Sequence, residues 1–238
     1  CNDLLWQHIM PPPVCYLMCT NCFYEITLQR PVDTLENLIL QKPDAVYRWM
    51  RYFSDEAESA ATALLLASEV TQQSKQKTAH PKKQDILSIL LHFSDLPGSD
   101  IPSQNISTNL WTIKTLEGRH LSATCAGFLL RATRLLSVFW DTPVITKDLQ
   151  NKYCLSPIFK ELPSNLTDEI EKLIQLSEEY KNIRFNSPEY DRSNERKVEI
   201  AENSLFEHLN SFLKDVIENI KFLKIPAVHA KIRAYTMP

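Results

Sequence analysis

LSATCAGFLLRATRLLSVF, residues 121–139, carries the clearest pattern in the chain. Leu121, Cys125, Phe128, Leu129, Ala132, Leu135, Leu136 and Phe139 recur at steps of 4, 3, 1, 3, 3, 1 and 3. Those steps trace one face of an α-helix. Arg131 and Arg134 fall off that face, which predicts an apolar inner stripe and a basic outer side. The same pitch recurs along most of the 238 residues.

Composition points the same way. Hydrophobic residues make up 44% and charged residues 23%, as in ordinary globular proteins. Only 3 glycines are present, too few for an architecture built on hairpins, bulges or phosphate-cradling loops. The 14 prolines fall mostly where helices should start or stop. A formal charge of -3 demands neither a nucleic acid nor an anionic membrane as partner. No uninterrupted apolar run is long enough for a membrane span. No signal peptide is visible, and the start at Cys1 reads as a fragment of a longer protein. Six cysteines are too sparse for a disulfide-stapled secreted domain, so an intracellular protein, nuclear or cytoplasmic, is expected.

Residues 14–29 are expected to form a helix that stops at Pro31. Asp33 or Thr34 should cap a short helix through Leu40, and Pro43 should open another. Ser54 reads as the cap of an Ala- and Leu-rich helix over 57–70, with Asp55 and Glu56 in its first turn. Residues 74–84 read as a polar linker and Ile86–Phe93 as a short apolar helix. Ser164 or Thr167 should cap a helix through about Ile183, and a long helix should run from about Glu195 to Lys224. The expected division is an N-terminal helical segment 1–73, the linker, a C-terminal helical segment 85–224 and a tail 225–238, together one continuous domain. No strand is predicted. The fold class expected is all-α, an irregular α-solenoid of HEAT or armadillo type, with a compact helical bundle as the alternative.

Cys15, Cys19 and Cys22 offer the one motif with chemical content. Their spacing, C-x3-C-x2-C, resembles the cluster motif of radical SAM enzymes, and that resemblance implies an iron–sulfur cluster held by the three thiolates. The residues themselves read differently. On a helix they stand at i, i+4 and i+7, on one face with Met18 and Ile26, where free Cys packs as a small hydrophobe. The aromatic residue usual before the third Cys is Asn21 here, and Gly-rich segments are lacking. A zinc site from Cys15, Cys19, Cys22 and His8 is the remaining metal option. Core packing is the reading adopted, with no cofactor expected.

Function is then expected to lie in binding. The reading is a non-catalytic helical scaffold that holds another protein subunit, with Leu205, Leu209, Phe212, Val216 and Ile220 of the last helix, plus Trp49 and Trp140, as partner-contacting residues. The alternative is a nucleic-acid surface built from Lys75, Lys77, Lys82, Lys83, Arg131 and Arg134.

Overall fold

The computed structural model describes residues 13–53, 55–73, 81–94, 121–137, 139–147, 153–156, 159, 166–185, 196–225 and 228. Among them the chain is mostly helical. It runs β1 (Val14–Met18), β2 (Phe23–Thr27), α1 (Pro31–Gln41), α2 (Pro43–Phe53), α3 (Glu56–Gln73), α4 (Lys83–Ser94), α5 (Ala123–Ser137), β3 (Ile145–Lys147), β4 (Tyr153–Leu155), α6 (Leu166–Phe185) and α7 (Arg196–Leu223).

The helix starts follow from local chemistry. Pro31 stands at the first turn of α1, where its missing N–H has no partner to lose. Asp33 lies inside the first turn and reaches back: its carboxylate accepts from the Arg30 backbone N–H at 3.0 Å and from the Arg30 guanidinium at 2.8 Å. Asp55 caps α3, because its Oδ1 accepts the Glu58 N–H at 2.7 Å; Ser54, the expected cap, lies outside the described residues. Ser122 caps α5 by accepting the Cys125 N–H at 3.2 Å. The expected linker is shorter at its far end, since α4 already begins at Lys83; residues 74–80 lie outside the described set.

Helix α3 is the hub. It packs against α1, α2, α4, α5 and α6. Ala57, Ala60, Ala61, Ala63 and Ala67 are buried along it, as are Leu64, Leu65 and Leu66. Small side chains let a neighbour come close, and α5 does so through Gly127. A Cβ at Gly127 would meet the Ala60 Cβ at 2.6 Å and the Ala61 nitrogen at 2.9 Å. The stripe read from residues 121–139 is buried as expected at Cys125, Phe128, Ala132, Leu135, Leu136 and Phe139. The opposite side of α5 is buried as well, Thr124, Ala126, Gly127, Arg131 and Arg134 included.

Phe128, Tyr180 and Phe206 join α5, α6 and α7, with ring centroids 5.1 to 5.8 Å apart. Glu202 of α7, fully buried, accepts the Ser122 N–H at 2.6 Å and so ties the start of α5 to α7. Ser177 of α6 donates to Asn210 of α7 at 2.7 Å.

Two expectations about strands are overturned. Residues 14–27 form an antiparallel hairpin instead of a helix, in the register Val14↔Thr27, Cys15↔Ile26, Tyr16↔Glu25, Leu17↔Tyr24 and Met18↔Phe23. Valine, isoleucine, threonine and aromatic residues favour strands, and Thr20-Asn21 supplies the two-residue loop between them. A second, shorter hairpin pairs Ile145–Lys147 with Tyr153–Leu155.

Candidate functional site

The hairpin β1–β2 is exposed on both faces. All of residues 13–29 are exposed, with Met18 at 81%, Tyr16 at 62% and Phe23 at 61%. Strand alternation sorts the side chains. Cys15, Leu17, Cys19, Cys22, Tyr24 and Ile26 share one face. Val14, Tyr16, Met18, Phe23, Glu25 and Thr27 share the other, where Tyr16 stacks on Phe23 with centroids 5.3 Å apart. Glu25 is the single charged residue between Val14 and Leu28. A two-stranded hairpin with uncovered faces is marginal in water, and its own aromatic stacking offsets only part of that.

Arg30 fixes the base of this hairpin to the helices. Its guanidinium lies 2.8 Å from Asp33 and 3.5 Å from Glu69 of α3. The hydrogen bond to Asp33 raises the Arg30 pKa against the opposing effect of burial. Burial raises the pKa of Glu69, and Arg30 partly counters it.

The three cysteines are therefore placed differently from the expected core stripe: Cys15, Cys19 and Cys22 are free and exposed. Nor do they converge. Cys15 is four residues along β1 from Cys19, about 13 Å at the rise of a strand. On a helix that separation would be one turn, about 5–6 Å. No single metal or cluster can bridge it. Among the described residues no group of three or more His, Cys, Asp or Glu is arranged to hold a metal ion. His8 lies outside the described residues.

The other candidate sets are also redistributed. Leu205, Leu209, Val216 and Ile220 are buried in the chain's own core, and Phe212 packs against it. Trp49 is partly buried against the same core. Trp140 is 40% exposed and meets Phe212 edge-on at 5.7 Å. The stripe of α7 is thus packing within the chain rather than a free face.

Arg131 and Arg134, expected on an outer basic side, are interior. Arg131 is 2% exposed and its guanidinium lies 2.9 Å from Glu169 of α6. Burial pulls its pKa down to about 10, with Glu169 and Glu69 opposing; it stays charged at neutral pH. Glu169 also accepts from Lys172 at 2.9 Å. Arg134 pairs with Glu58 of α3. Lys83 pairs with Glu179 of α6 at 2.7 Å, beside a shallow groove of about 600 Å³ lined by Lys82, Leu87, Asn182 and Ile183. Lys75 and Lys77 lie outside the described residues.

Cys125 differs from the hairpin thiols. It is buried on α5, and burial pushes its thiol well above the usual range, with Glu202 acting in the same direction.

No family model matches this sequence, and no curated protein matches it. No helix among the described residues is long and apolar enough to cross a membrane.

Proposed function

We propose that this chain is a non-catalytic helical scaffold that holds another protein, and that it does so through the hairpin β1–β2. The observation that carries this reading is the exposure of Tyr16, Leu17, Met18, Phe23, Tyr24 and Ile26 on one fourteen-residue hairpin. Contiguous apolar surface of this kind marks a site for a partner. The near absence of charge over Val14–Leu28 selects an apolar protein face over a phosphate backbone. Among the described residues both strands also present an unpaired edge, so a partner strand could extend the sheet.

The rigid part is the helical body. We favour a bundle around α3 over a solenoid. Repeats in a solenoid touch only their neighbours, whereas α3 also packs on α6, three helices further on. Buried pairs such as Arg131–Glu169 hold that body in one arrangement and leave binding to the hairpin.

The test compares capture by the wild-type chain and by Tyr16→Ser/Phe23→Ser, with circular dichroism as the check on the helices. A partner that wild type retains and the variant loses at equal helicity is the result expected. Capture of the same proteins by both chains would overturn the reading. Because the surface carries a single charge, Glu25, retention should change little between low and high salt.

A further inference from the structure

Cys19 and Cys22 face each other across the two-residue loop Thr20-Asn21. The Cys19 N–H donates to the Cys22 carbonyl at 2.8 Å, so they form the bonded pair that closes the hairpin. Their Cα atoms are then about 5.5 Å apart and their side chains leave on the same face. Two thiolates of one tetrahedral zinc stand about 3.8 Å apart, given a Zn–S length of about 2.3 Å. A bonded pair at a hairpin end reaches that spacing by side-chain rotation alone. Both thiols are exposed and free.

We propose that Cys19 and Cys22 are half of a tetrahedral zinc site, completed by the same two cysteines of a second copy of the chain. This rests on the reading of the hairpin as a protein-binding surface and assigns its cysteine-bearing face to a second copy. A structural zinc takes four ligands, and this pair supplies two. Cys15, on the same face, is too far along the strand to be a third. A two-fold axis through the metal brings an identical pair from another copy without any new sequence. It also lays the Leu17, Tyr24 and Ile26 face of one hairpin against that of the other, covering apolar surface that is otherwise wet. The balance is simple: four thiols each lose a proton to solvent, four Zn–S bonds form, and nothing is oxidised.

The experiment uses the full chain, kept reduced and stripped with a chelator, and titrates it with Zn²⁺ and with Co²⁺ as a spectroscopic stand-in. Expected are saturation at half an equivalent of metal per chain, a doubling of mass in sedimentation, and the charge-transfer bands of cobalt on four thiolates. Cys19→Ser and Cys22→Ser should each abolish all three, while Cys15→Ser leaves them intact. Saturation at one equivalent in a monomer would place the other ligands in the same chain and overturn the proposal, as would no binding. If metal does not pair the chains, yet Tyr16→Ser/Phe23→Ser still loses a captured protein, the zinc site fails and the hairpin reading stands.

Discussion

Gly127→Ala should destabilise this protein, although the same change in an exposed helix would stabilise it. Replacing Gly by Ala within a helix gains roughly 0.5–1 kcal/mol from backbone entropy. At Gly127 the added methyl would lie 2.6 Å from the Ala60 Cβ, 2.9 Å from the Ala61 nitrogen and 3.1 Å from the Ala57 carbonyl oxygen. Two of those three atoms are backbone and cannot rotate away. Helices α3 and α5 must separate, at an overpacking cost of about 1–3 kcal/mol. The clash outweighs the entropy gain, and a net loss of about 1–2 kcal/mol is expected. For a chain of this size that lowers the melting temperature by about 2–8 °C. Far-UV circular dichroism on heating and in urea would read it. Ala60→Gly in the Gly127→Ala background removes the closest contact, so the double variant should lose less than the sum of the two single changes. A Gly127→Ala protein more stable than wild type would refute the close approach of α3 and α5.

Arg131→Met should cost roughly 3 kcal/mol in urea unfolding, because it takes the buried guanidinium away from the Glu169 carboxylate and from nearby Glu69; a cost under roughly 0.5 kcal/mol would show that the pair is not interior. Glu69 gives a pH signature. Its folded pKa is raised above the ordinary 4.5, so the folded state holds the proton more tightly than the unfolded chain does. Its contribution to stability is therefore greatest below the ordinary value and declines as pH rises through the raised one. Glu69→Gln removes that decline, so the variant should gain on wild type in urea midpoints between acid and neutral pH; a gap that moves the other way contradicts the assignment. Brief alkylation of the native protein, read by peptide mass spectrometry, should label Cys15, Cys19 and Cys22 at once and Cys125 only on unfolding. Equal protection of the hairpin thiols and Cys125 would restore the core reading.

Helix pitch was legible wherever one face alone is apolar. The residue 121–139 stripe, the α2 start at Pro43 and the long α7 all emerge from sequence, because i, i+3 and i+4 spacing is local information. The hairpin hid for a physical reason. Both of its faces are apolar, so it lacks the period of two that marks a half-buried strand. Cys15, Cys19, Cys22 and Ile26 then fall by coincidence on helical steps. The available signal was the density of Val, Ile, Thr, Phe and Tyr around Thr20-Asn21. Arg131 and Arg134 failed differently. Lying off the stripe normally means facing water, but their carboxylate partners are 38 and 76 residues away in the chain. Only the packing of α5 between α3 and α6 reveals that meeting. The stripe of α7 was read correctly as apolar, and its use inside the chain's own core depends on the same long-range packing.

Proton NMR of residues 14–27 tests the central claim most directly. The hairpin places Val14 opposite Thr27, Tyr16 opposite Glu25 and Met18 opposite Phe23 as its closely spaced pairs, so Hα–Hα contacts between these partners should be strong. Sequential amide contacts with i to i+3 and i to i+4 contacts through Cys15, Met18 and Cys22, and no cross-strand contacts, would contradict it and return these residues to a helix.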